Sequence, residues 1–339
     1  MAKKIGKRTI ELENKPNIIS YGSAVGKKEH EGPLSDEFDF YTVDSFFGEK
    51  SFEKAESKLQ KTAINIALEK AGLKPYDIDK IFAGDLLNQC IGSAFGIRDF
   101  GIPFLGLYGA CSTMALSTGL ASLFVDCGAA DRALAVTSSH FCSAERQYRF
   151  PLDYGSQRTP TAQWTVTGSG ALILENSQKG PFIDKVTFGE IEDYGVTDIN
   201  NMGAAMAPAA ASTLKHFFED TETVPKDYDI IFTGDLGFIG TQCLYDLCDR
   251  EGIDIKCRHT DCGNIIFDRE RQDVHGGGSG CGCSASVLCS YVMHHFESGD
   301  FNNILFLSTG ALMSPTSSFQ GESIPGIAHL LNIRSTEEK

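Results

Sequence analysis

One twelve-residue block occurs in each half of this chain, and it limits the possible folds more than any other feature. Pro75-Tyr76-Asp77-Ile78-Asp79-Lys80-Ile81-Phe82-Ala83-Gly84-Asp85-Leu86 returns as Pro225-Lys226-Asp227-Tyr228-Asp229-Ile230-Ile231-Phe232-Thr233-Gly234-Asp235-Leu236, with eight of the twelve positions identical. Each copy follows an amphipathic pattern that predicts a helix, over 52–71 before the first and 204–219 before the second. Each copy contains a strand that ends in Gly-Asp-Leu. A weaker echo relates 122–139, with Gly128 and the apolar run 133–137, to 294–310, with Gly299 and the run 304–307. Aligning those glycines sets Cys111 opposite Gly282. Short apolar strands alternating with longer helices suit sheets covered on both faces. The expectation is an α/β fold of two duplicated halves, residues 1–200 and 201–339, packed as one layered body with pseudo-twofold symmetry. The first 50 residues form an extension outside the repeat, with 27–45 a charged loop. Residues 143–201 read as an insertion.

The second informative stretch is Gly109-Ala110-Cys111-Ser112-Thr113. It lies between an apolar run, 102–108, and a small-residue helix over 112–123. A cysteine there meets unpaired N–H groups and the positive end of a helix dipole. Both favour a thiolate and lower the thiol pKa. This is the setting of an acyl-carrying nucleophile.

Charge and composition remove several function classes. The net charge of −15 argues against nucleic acid, because a phosphate backbone needs a basic face. It also argues against passive adhesion to anionic lipid. The charged start of the chain lacks the apolar segment of a signal peptide. No run reaches the roughly 18 apolar residues of a spanning helix, so any membrane association is peripheral or through partners. The 11 cysteines read as reduced thiols. Cys257, His259, Cys262, Cys281 and Cys283 lack regular zinc spacing, so no metal is expected.

A duplicated α/β chain with a strand–Cys–helix elbow, followed by Thr167-Gly168-Ser169-Gly170-Ala171, resembles the thiolase and ketoacyl-synthase superfamily. Six further stretches look like the stage V sporulation protein AD family. They are Gly84 to Gln89, Gly109 to Thr113, Thr137 to His140, Ala144 to Pro151, Met206 to Ala211 and Gly276 to Cys281. The resemblance runs from about residue 22 to 329. It implies a spore protein that binds dipicolinic acid, pyridine-2,6-dicarboxylate, as its calcium chelate. It further implies support of dipicolinate uptake into the developing spore, with membrane proteins of the same operon. By the same resemblance the chain is a homodimer, peripheral to the inner spore membrane.

Condensing chemistry needs partners for the thioester carbonyl, either two His or one His and one Asn. The superfamily's His position falls on Gly234 or Asp235, and its Asn position on Cys281. The expectation is therefore a non-catalytic chain without a cofactor, calcium entering only with the ligand. His259 reads as a turn residue and His140 as a pocket residue. The ligand site then draws on the backbone N–H groups at Cys111 and along Gly277, Gly278 and Cys281. Ser138, Ser139 and His140 add side-chain donors. Arg146 and Arg149 are candidate carboxylate clamps. Asp85 and Asp235 end equivalent strands, and the matched placement makes Asp85 a pocket residue. No basic cluster is visible in the sequence near the mouth. Two other readings remain at this point: an acyl-transferase using Cys111, and a structural subunit of a membrane assembly.

Overall fold

A computed structural model of the chain describes residues 2–153 and 155–336. Its elements are β1 (Asn17–Val25), α1 (Phe52–Ala71), β2 (Lys80–Gly84), α2 (Ile91–Ile97), β3 (Phe104–Gly106), α3 (Thr113–Asp126), β4 (Arg132–Ser139), α4 (Phe141–Tyr148), β5 (Gly168–Glu175) and β6 (Phe182–Phe188). There follow α5 (Met202–Thr221), β7 (Ile230–Thr233), α6 (Gly237–Arg250), β8 (His259–Asp261), α7 (Cys281–Val287), β9 (Asn303–Ala311) and β10 (Gly326–Arg334).

These strands lie in the order β3-β2-β4-β5-β1-β6-β10-β9-β7-β8. The order is a palindrome, so β3 matches β8, β2 matches β7, β4 matches β9, β5 matches β10 and β1 matches β6. Strand senses match too. In each half the outer three strands are parallel and the inner contacts antiparallel. The duplicated block thus supplies β2 and β7.

The palindrome corrects the expected boundaries. β1 lies among the first 50 residues, and β5 and β6 lie within 143–201. All three are repeat elements. The halves meet at β1 and β6, joined by the pair Phe182–Asn17, so the second half starts at β6 and not at residue 201. The signal was missing because β1 and β6 share a position without sharing residues.

Three apolar clusters correspond to three helix layers. α1 sets Leu59, Ala63, Ile64, Ala67 and Leu68 against β1, β4 and β5. Ser51 caps its start by accepting from the Lys54 amide, and Gly72 ends it with φ +67°. α5 and α6 cover the opposite outer face, where Phe217, Leu214 and Leu244 pack on Ile231, Leu305 and Leu330. Between the half-sheets lie α3 and α7, with Met114, Ala115, Cys283 and Ala285 in one cluster with Phe82 and Phe232. α3 touches β2 and β4 as well as β9 and β10. A helix pressed from both sides needs small residues, which explains its Thr-Met-Ala-Leu-Ser-Thr-Gly-Leu-Ala-Ser sequence. Each large side chain buried in such a layer contributes roughly 1.5–3 kcal/mol. Cys111 stands at the N-terminal end of this central helix.

Candidate functional site

The elbow is strained and braced. Ala110 adopts φ +50°, left-handed for a residue with a side chain. The Ser112 hydroxyl donates to the Gly109 carbonyl and Thr113 Oγ1 to the Ala110 carbonyl, both at 2.6 Å. The elbow also rests on β9 of the other half. A Cβ on Gly310 would come within 2.3 Å of the Gly109 carbonyl oxygen and 3.2 Å of the Cys111 amide. Only glycine permits that approach.

Cys111 lines a small, partly open cavity. Leu86, Ala110, Ala144, Tyr148, Met202, Ala311 and Met313 form its apolar wall, and Thr165, Ser279, Glu145 and Arg149 its polar atoms. The free volume is about 40 Å³, room for two or three waters. Tyr148 closes one side, donating to the Leu86 carbonyl and meeting the Tyr108 hydroxyl at 2.7 Å.

The electrostatics reverse the expectation for the thiol. Burial pushes the Cys111 thiol well above the ordinary thiol range, and the nearby Asp235 carboxyl adds to the rise. The Gly280 amide opposes both effects by facing the sulfur, and the same amide faces Asp235. Gly280 has φ +108°, which glycine tolerates. The helix-terminus argument identified a real favourable term but had no access to burial, which outweighs it.

The sequence-derived site residues divide into groups. Cys111 and Arg149 reach the cavity wall. Cys281 packs against Cys111, Leu86 and Ala144, and its thiol donates to the Ser138 carbonyl at 3.0 Å. Gly277 and Gly278 pair with the strand at Trp164, and the Gly277 amide donates to the Val274 carbonyl, so its N–H is spent. Ser139 accepts from the Gly282 amide and donates to the Val166 carbonyl.

Ser138 belongs to a different site. Its hydroxyl meets Glu56 at 3.3 Å, and Ser143 donates to the other Glu56 oxygen at 2.6 Å. Gln60 donates to Ser138 and Ser93, and Ser93 donates to Asp85. Asp85 also accepts from the Ser93 and Leu87 amides at 2.7 and 2.8 Å. The first-half carboxyls therefore sit in a closed, hydrogen-bonded network. Burial, reinforced by Asp85, pushes Glu56 up to about 8. Sequence reasoning missed Glu56 and Gln60, although a signal existed: both lie in phase with the apolar stripe of α1.

His140 caps α4. Its Nδ1 accepts from the Cys142 amide, so Nε2 carries the proton and donates to the Ser45 carbonyl at 2.8 Å. Burial lowers its pKa, leaving a neutral, structural imidazole. Arg146 pairs with Glu53 at the surface. Arg149 is held by Glu145 at 3.2 Å and Asn200 at 3.0 Å. His259 contacts Thr233 and Tyr245, and burial lowers it to about 4.

Asp235 is the outlier. It is fully buried, and neither carboxyl oxygen has a hydrogen-bond partner among the described residues. The capping role held by Asp85 passes in this half to Asp261, which accepts from the Leu236 and Gly237 amides at 3.0 and 2.9 Å. Burial and Asp261 push Asp235 well above the carboxylate range.

A duplicated sheet with a cysteine elbow on its central helix defines a thiolase-like protein, and solved structures agree. The 3-oxoacyl-[acyl-carrier-protein] synthase III of Aquifex aeolicus superposes with a TM-score of 0.60 at 14% identity, covering 94% of this chain and 99% of that one. Cerulenin-bound OleA of Xanthomonas campestris superposes with 0.59 at 13% identity, covering 94% and 96%. At such identities the likeness concerns the fold. Within that class the chain belongs to the stage V sporulation protein AD family, whose sequence model matches residues 6–334. It is 44% identical over 324 residues to stage V sporulation protein AD of Bacillus subtilis (strain 168), covering 96% of each chain. No helix among the described residues is long and apolar enough to cross a membrane.

Proposed function

We propose that this chain binds dipicolinic acid at the Cys111 cavity and supports its uptake into the developing spore, with the thiolase-like fold reused without condensing chemistry. The observation that carries this reading is the character of the cavity. Its walls are apolar, its inner polar groups are a thiol and two hydroxyls, and its rim carries an arginine paired with Glu145. Such a slot suits a flat ring with carboxylates. Against catalysis stands the raised thiol, since burial opposes formation of the thiolate nucleophile.

The free volume is well below the roughly 300 Å³ of an ordinary ligand pocket. Admission of the ring therefore requires the Tyr148–Arg149 side to move outward. Calcium accompanies the ligand as its chelate, and no cofactor takes part. The partners are membrane proteins of the same sporulation operon, met peripherally at the inner spore membrane. A second copy joins along the edge strand β3, where Phe95, Phe104 and Tyr108 are exposed.

Titration calorimetry of the whole chain tests this reading. Dipicolinate is expected to release or absorb heat with wild type and not with Cys111→Phe, which fills the cavity. No heat from wild type at millimolar dipicolinate would overturn it. An acyl adduct on Cys111 after incubation with acyl-coenzyme A, seen by intact-mass spectrometry, would restore the enzymatic reading.

A further inference from the structure

The acidic chain does build a basic cluster beside the cavity, from segments far apart in sequence. Arg158 and Lys28 meet over the Trp164 ring, and Arg158 lies within electrostatic reach of Arg149 and Glu145, which line the cavity. The Lys28 ammonium lies 3.8 Å and the Arg158 guanidinium 4.9 Å from the Trp164 ring centre. Phe141 stacks on that ring at 3.7 Å, which fixes its plane. The three cations feel one another. Arg158 disfavours the charged form of Lys28, and Arg149 disfavours that of Arg158.

The three arginines near the cavity differ in what their donors do. Arg146 is committed to Glu53 and Arg149 to Glu145 and Asn200. Arg158 makes one long bond, from Nη2 to the Ala162 carbonyl at 3.4 Å. Its Nε and Nη1 are shielded from solvent and have no hydrogen-bond partner among the described residues. A guanidinium with two unused, desolvated donors is costly to leave empty. Nε and Nη2, which point the same way, form the fork that a carboxylate fits with two parallel bonds; of these Nε is unused and Nη2 holds only the long bond to Ala162. Two acids favour the Arg158 charge, Asp273 and Glu145, and Glu145 has a buried oxygen that is likewise unpartnered.

We propose that Arg158, flanked by Lys28 and Arg149, is the receptor for one carboxylate of a small dicarboxylate entering the Cys111 cavity. This rests on the dipicolinate reading above and names the residue that distinguishes a dianion from a monoanion. Arg158 is the clamp that the sequence assigned to Arg146 and Arg149.

The test compares dipicolinate, with two carboxylates, and picolinate, with one, by calorimetry on the whole chain. Wild type is expected to prefer dipicolinate. Arg158→Met is expected to weaken dipicolinate about tenfold or more, because a charge-assisted pair is lost. It should change picolinate far less, so that the preference disappears. Arg158→Lys keeps the charge without the fork and should fall between the two, which covers the case of a poorly folded methionine variant. Lys256→Ala, removing an exposed lysine paired with Asp249, should leave both affinities unchanged. If wild type binds dipicolinate and both Arg158 variants keep the preference, the Arg158 assignment is overturned and the binding function stands. If wild type binds neither ligand, both fail.

Discussion

Asp85 and Asp235 end equivalent strands, follow the same glycine and precede the same leucine, yet their surroundings are opposite. Asp85 accepts from the Leu87 amide, the Ser93 amide and the Ser93 hydroxyl. No donor among the described residues reaches the Asp235 oxygens in good hydrogen-bonding geometry, although the Gly280 and Thr309 amides face them, and Ser284 and Ser308, beside Gly234, and Thr309 have unpartnered hydroxyls as well. The difference traces to who caps the next segment. In the first half Asp85 does so itself, and in the second half Asp261 does it from β8. Duplication preserved the strand and freed one carboxyl. A satisfied polar network holds a structure together, whereas unsatisfied buried groups mark a place where stability was not the constraint.

The largest expected effect is on stability. Asp85→Asn should cost about 3 kcal/mol, because two amides and a hydroxyl lose a charged acceptor. Asp235→Asn should change stability by less than about 1 kcal/mol or raise it, since an unpaired buried carboxyl is replaced by a neutral group of the same shape. Urea unfolding of both variants checks this, and equal losses would remove the contrast between the halves.

The pH dependence should be of similar size. Burial raises Glu29 to about 7 and Glu56 to about 8, and pushes Asp235 well above the carboxylate range, so the folded chain holds protons that the unfolded chain releases. Stability from these groups is complete below their unfolded pKa values and is lost as pH rises through the folded ones. His259 and His329, lowered to about 4 by burial, act in the opposite sense, but only below about pH 6.5. Glu29 and Glu56 alone should therefore lower stability by about 2–3 kcal/mol from pH 6.5 to 8.5, and Asp235 should deepen the fall. Asp235→Asn should flatten that fall, and a rise over the window would refute the assignment of protonated carboxyls.

The smallest effect separates two hydroxyls. Ser93→Ala should cost about 1–2 kcal/mol by stripping Asp85 of a donor, whereas Ser308→Ala should stay within about 0.5 kcal/mol. Thermal unfolding of the two variants side by side measures the gap.

The sequence made the repeat, the ends of α1 and the Cys111 elbow legible, because these depend on local periodicity and on residues shared between copies. β1 and β6 escaped because a central strand pair is defined by register with distant strands. At the site, proximity in sequence misled: Ser138, Ser139 and His140 end β4 beside the elbow, but their polar atoms point to Glu56, Val166 and Ser45. The thiol's charge state was illegible because burial comes from both half-sheets at once. Arg158 was illegible because its value lies in bonds it does not make.

The most direct measurement is a crystal structure of the chain grown with dipicolinate. The account predicts the ring beside Cys111 and Ser279, one carboxylate on Arg158, and the Tyr148–Arg149 side displaced outward. Dipicolinate seated in the Glu56–Asp85 network instead, with the Cys111 cavity still closed, would contradict it.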